Sequence, residues 1–233
     1  MPISNLGNGL RTGVCTSTNR PTTPYEGQVI YETDTDKVFV WNGTAWVIPN
    51  SPTTNPTGLE LITTCTATSA GGTSATASGG IVTLGTSNTS VTVSNAFSAT
   101  YDNYKIILSG GSSAGDANLR ITLGSTATGY YAAGIYVGYT AATIYGTNTN
   151  NGTFIDFGYG STNALSGTGE IESPFLAKRT VLRTSPISTS TTYPFGVFGG
   201  YLNDATSYTA FTITTSAPAM TGGTITVYGY RKA

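Results

Sequence analysis

Apolar residues in this chain alternate with hydroxyl-bearing ones and nowhere recur at helical spacing. Arg120-Ile121-Thr122-Leu123, Phe211-Thr212-Ile213-Thr214 and Thr224-Ile225-Thr226-Val227-Tyr228 each put apolar side chains on one face of an extended strand and hydroxyls on the other. Ala, Leu, Glu and Lys never co-occur over three turns, so no helix is expected. Short strand-like runs follow one another from residue 81 to residue 230, separated by Gly-rich turns. The expected fold class is all-β: a small N-terminal β-hairpin or meander module, then a C-terminal β-sandwich of jelly-roll type.

Composition narrows the function. Only 9% of residues are charged, against roughly 25% in an ordinary soluble domain. The chain is nevertheless 38% hydrophobic and holds 15 tyrosines, which sets it apart from disordered sequences. It contains no histidine, which excludes a Ser-His-Asp triad, a Cys-His pair and histidine metal sites. A formal net charge of −1 argues against nucleic acid as a partner, because displacing counterions needs clustered Lys and Arg. No run approaches the ~20 apolar residues of a membrane span, so no membrane insertion is expected. The N-terminus lacks a basic stretch followed by an apolar one, so synthesis in a cytoplasm is expected. Cys15 and Cys65 form no disulfide framework and are expected to be thiols.

Along the chain, residues 1–19 read as an extended arm, too weakly hydrophobic to fold alone. Residues 20–48 read as a three-stranded meander, with strands at 28–33, 37–41 and 45–48. Asp34-Thr35-Asp36 is turn chemistry, and Asn42-Gly43 is the signal for a two-residue type I′ turn. The module is too small to bury a stable core and should rest on a partner or on another copy. Pro49, Pro52 and Pro56 mark a Pro/Thr-rich linker over 49–62. The sandwich occupies 63–233. Within it, residues 66–80 fit either a loop or a flat edge strand.

Candidate chemistry is sparse. Glu32, Asp34 and Asp36 are closely spaced but lack the ligand series of a calcium loop, and read as a polar turn. Glu170 and Glu172 should face one way from one strand, answered by Lys178, Arg179 and Arg183 as surface or interface pairing. No catalytic, metal-ligating or cofactor-binding residue is assigned, and no cofactor is expected. Tyr130, Tyr131, Tyr136, Tyr139 and Tyr145 crowd the middle of the chain. They suit a sandwich core, a contact between subunits or a receptor surface.

The segment Arg20-Pro21-Thr22-Thr23-Pro24-Tyr25-Glu26-Gly27-Gln28-Val29-Ile30-Tyr31-Glu32-Thr33-Asp34-Thr35, with Val40-Trp41-Asn42-Gly43-Thr44-Ala45-Trp46-Val47, resembles a short module recurrent in virion proteins of tailed bacteriophages. Decoration proteins, head fibres and tail-fibre-like proteins carry it. Tyr101-Asp102-Asn103-Tyr104-Lys105-Ile106, Ser173-Pro174-Phe175 and the closing residues 223–232 are more loosely similar to jelly-roll domains of phage structural proteins. The resemblance implies a homotrimer in a virion, docked through its N-terminal part, with the sandwich outward and no catalytic residues. Ile3, Leu6, Leu10, Tyr31, Trp41 and Trp46 are then the candidate docking residues, on a major capsid protein or a tail protein. With no heptads and no repeat to build a shaft, the chain reads as a capsid decoration or cement protein. The alternative is a short tail fibre or receptor-binding tip, with the tyrosines on host surface glycans.

Overall fold

The computed structural model describes residues 12–49, 58–189 and 195–232. The chain divides into two compact units, one ending at Pro56 and the other beginning at Thr57. The described residues hold strands and no helix.

The first unit is a four-stranded sheet of β1 (Gly13–Cys15), β2 (Val29–Glu32), β3 (Lys37–Trp41) and β4 (Trp46–Val47), in that order. Three strands fall where the alternation put them. The fourth, β1, lies in the stretch expected to be an extended arm: Gly13, Val14 and Cys15 pair in parallel with Ile30, Tyr31 and Glu32. The open backbone edge of β2 explains the difference, since any adjacent extended segment satisfies it. The turn at Asn42 also departs from expectation. The Oδ1 of Asn42 accepts the backbone N–H groups of Thr44 and Ala45 at 3.0 and 2.8 Å. Only Gly43 then needs a positive φ, of 94°, and the loop takes four residues rather than two.

The second unit runs through β5 (Leu59–Leu61), β6 (Thr66–Ala70), β7 (Thr76–Ser78), β8 (Ile81–Thr83), β9 (Ser90–Ser94) and β10 (Asn103–Gly110). It continues with β11 (Ser112–Ser113), β12 (Ala117–Leu123), β13 (Tyr130–Val137), β14 (Ile144–Gly152), β15 (Ile155–Gly160) and β16 (Leu165–Glu172). β17 (Thr180–Thr184), β18 (Phe195–Leu202), β19 (Phe211–Thr215), β20 (Met220–Thr221) and β21 (Thr224–Tyr230) complete it. Fifteen of these strands form one hydrogen-bonded sheet folded into two layers; β11 and β20 pair separately. One layer is β21-β10-β16-β17-β18-β13-β14, with β5 and β8 sharing the outer edge of β21. The other is β6-β9-β19-β12-β15. The layers join at β16, which pairs with β15 through Leu165, Ser166 and Gly167 and with β17 from Gly169 onward.

This is the β-sandwich that the alternation predicts. The cross-strand row Val91, Ile213, Ile121 and Ile155 is fully buried. It belongs to one core with Ile106, Leu108, Ile225 and Val227 of the other layer. On the reverse side of the same strands, Thr68, Thr92, Thr212 and Thr122 stand in register as a hydroxyl ladder. The hydroxyls of Thr92 and Thr212 lie 2.8 Å apart. The undecided stretch after residue 65 begins with edge strand β6, and part of the expected linker, Leu59–Leu61, pairs with β21.

Two buried tyrosines keep their hydroxyls satisfied. Tyr104 Oη accepts Ser98 N–H at 2.8 Å and donates to the Ser98 carbonyl at 2.9 Å. Tyr130 Oη accepts Leu123 N–H at 2.8 Å. At the junction between layers, the buried ring of Phe157 lies against Gly167 and Gly169. A Cβ on Gly167 would stand 2.5 Å from that ring. Gly167→Ala is therefore expected to cost about 1–3 kcal/mol, because a ring enclosed on all sides cannot give way. Urea unfolding followed by tyrosine fluorescence measures it.

Burial pushes the Tyr130 phenol and, with a hydrogen bond to Glu60, the Tyr101 phenol up to about 12, and the Cys65 thiol up to about 11. The folded unit holds these protons more tightly than the unfolded chain does. Its stability is thus complete below about pH 8.5, above which the thiol and then the phenols of an unfolded chain titrate. It is lost as the pH climbs toward 12, and the urea midpoint of the sandwich should fall over that range.

Candidate functional site

Beyond β17 the first layer continues as β18, β13 and β14, a three-stranded extension with no charged residue in any strand. Strand alternation divides its tyrosines between two faces. Tyr131 pairs with Tyr201 on the outer face, their rings stacked at 5.2 Å and 10°. Tyr136 pairs with Tyr145 on the opposite face, stacked at 5.2 Å and 18°. Tyr139 is exposed in the turn between β13 and β14. Tyr130 is removed from the candidate contact residues, because its side chain is completely buried in the sandwich core. The five tyrosines therefore do not make one platform.

The outer face nearer the sandwich centre carries the charges. Lys105, Glu170 and Arg183 lie in one cross-strand row, and Glu172 is two residues along from Glu170. Arg183 pairs with Glu172, while Tyr230 donates to Glu170 at 2.8 Å. Both carboxylates anticipated on this strand thus have partners, and Arg183 is one of the cations anticipated for them. Lys105 and Tyr201 were not foreseen, since only the strand register brings them here. An open cleft of about 450 Å³ lies among Lys105, Glu170, Arg183, Val197 and Gly199. A second, of about 460 Å³, continues past Arg183 and Gly199 to Arg179 and Tyr201. Gly199 leaves the floor open, because a Cβ there would meet nothing within 4 Å. The Arg179 guanidinium stands 5.7 Å from the Tyr201 ring, over its face. The surface supplies hydrogen-bonding groups and ring faces.

In the first unit the expected docking residues fall on two faces. Trp41 and Trp46 pair across β3 and β4, edge to face at 5.6 Å, on the side that also holds Ile30 and Phe39. Arg20 covers that side, its guanidinium 4.6 Å from the centre of the Phe39 ring. It also pairs with Glu32, a carboxylate with no exposed surface that accepts a further bond from Thr35 at 2.9 Å. Tyr31 lies on the other face, in the row Val14-Tyr31-Val38 beside the row Val29-Val40-Val47. That face is open: Val14 is 67% exposed. Ile3, Leu6 and Leu10 lie outside the described residues. The polar turn has separate partners for each carboxylate, with Asp34 accepting Ser17 N–H at 2.9 Å and Asp36 accepting the Tyr31 hydroxyl at 2.7 Å.

Hydrogen bonds from Arg20 hold the Glu32 carboxyl below the usual range, and those from Ser17 do the same for Asp34. A depressed carboxylate stabilises the fold fully above its unfolded pKa, roughly 4, and that contribution vanishes as the pH falls through the folded value. The only two tryptophans are Trp41 and Trp46, so their fluorescence reports this unit alone. Its thermal midpoint should fall steeply below about pH 4. Glu32→Gln should lower that midpoint at pH 7 and flatten the acid dependence.

No protein-family model, curated protein or solved structure matches the chain.

Proposed function

We propose that the chain is a non-enzymatic structural protein of a bacteriophage virion: a trimeric capsid decoration protein, anchored by its N-terminal part with the sandwich projecting outward. The observation that carries this reading is the first unit. Its sheet fully buries only Ile30 and Glu32, yet it presents Val14, Val38 and Val47 on one open face. A sheet of this size gains too little from its own core and is completed by whatever covers that face. The same unit holds the residues that resemble the phage module. A sandwich with few charges to desolvate suits close packing in an assembly.

A second reading, a short tail fibre or receptor-binding tip, draws on the outer clefts and the stacked tyrosines. Ring faces beside paired carboxylates and guanidinium groups suit a glycan. Copy number separates the two. Hundreds of copies per purified particle, located on the head by labelling, support decoration; a handful at the tail supports the tip; absence from particles overturns both.

Attachment supplies a further test. Val38→Asp puts a charge on the open valine face without disturbing the Trp41–Trp46 side. It should reduce particle binding at least tenfold while tryptophan fluorescence stays native. Undiminished binding would show that another surface anchors the protein.

A further inference from the structure

We propose that the uncharged extension of β13, β14 and β18 contacts a second copy of this chain through its outer face. The inference rests on the self-assembling reading above and names the surface that does the assembling. Its core is a cross-strand row running Ile187, Phe195, Val137 and Ile144, fixed by three successive register pairs. Val197 and Ile135 form the next row on the same face. Ile144 is 66% exposed and Ile135 54%, and Phe195, Val197 and Ile187 are each close to half exposed. Among the described large hydrophobics that the second unit exposes, all but Leu59 and Ile81 lie on these strands, in the β13–β14 turn or, as Ile187, paired to β18. A contiguous apolar patch of this kind, rimmed by polar groups, marks a contact surface.

The charge pattern selects the occupant. No Asp, Glu, Lys or Arg occurs from residue 121 to 155 or from 184 to 203, the stretches that supply all three strands. A charged partner surface would lose its water here and find no opposite charge. The same face of another copy carries no charge to strand, and its rows of Ile, Val and Phe match in chemistry. The outer edge of β14 adds to this. It is nine residues long and has no Pro or Lys, the devices that keep an open edge from pairing with other chains. The charged row of Lys105, Glu170 and Arg183 lies toward the sandwich centre, where it bounds the patch.

The test is the oligomeric state of the full chain by sedimentation and light scattering, compared with two variants. Ile135→Lys sets a charge in the patch. Ile81→Lys sets one on another exposed isoleucine, on β8 and outside the patch. The expected result is an assembled wild type, an assembled Ile81→Lys, and Ile135→Lys dissociated, with self-association weakened at least roughly 100-fold. Near-UV circular dichroism must match wild type for both variants; if Ile135→Lys is misfolded, Val197→Thr, which keeps the side-chain shape, replaces it and must weaken association. A trimer that survives the patch variants overturns this surface and leaves the trimer standing. A wild type that is monomeric at high concentration overturns both. Dissociation of Ile135→Lys and Ile81→Lys alike also overturns the assignment.

Discussion

The Phe157 ring lying against Gly167 and Gly169 is the contact on which the rest of the sandwich depends. At this point β16 leaves β15 and takes up β17. A side chain on either glycine would force the strand away from the ring and break the ladder that joins the layers. Everything beyond it, from β17 through β18 to β13 and β14, attaches to the first layer through the second half of β16. Gly229 repeats the device at the other end of that layer, where the Tyr101 ring occupies the place of a Cβ. Aromatic rings set over strand glycines thus do in this chain what branched side chains do in most sandwiches.

The sparse charges are sorted rather than scattered. Glu60 pairs with Arg231 at 2.6 Å and Asp102 with Lys232 at 2.9 Å, both holding the chain beyond β21. Lys105, Glu170, Glu172 and Arg183 take the centre of the outer face. The extension has none. A single sheet therefore passes from a wet, ion-paired region through stacked tyrosines to an apolar end, with no break in its hydrogen bonding.

Much of this could be read from residue order. Alternation identified the strands whose two faces differ in solvent exposure, as in β12, β19 and β21, and the Asp and Asn turns placed the meander. Residue order does not reveal β14, for a physical reason. Ile-Tyr-Gly-Thr-Asn-Thr-Asn-Asn-Gly lies at an edge with both faces largely exposed, so burial imposes no alternation on it. Residue order shows β16 only in part, because two of its inward positions are glycines filled by a ring from another strand. The candidate surface was legible as residue types, with Glu170, Glu172 and Arg183 anticipated together. It was not legible as a site, because Lys105 and Tyr201 reach it only through strand register. The tyrosines of β13 show the limit most plainly: adjacent in sequence, Tyr130 and Tyr131 lie on opposite sides of the sheet, one in the core and one in the outer stack.

The pairing of β21 has a consequence for how the molecule comes into being. This last strand lies between β10 on one side and β5 and β8 on the other, and Leu61 finds its partner only in Tyr228. During synthesis the early strands of the sandwich leave the ribosome with one edge unmatched, and they stay so until Tyr230 has emerged. Pairings so distant in sequence form slowly and late. The order of events is then imposed by topology: every strand of the small sheet is made before the sandwich begins, and the sandwich closes only once β21 is made.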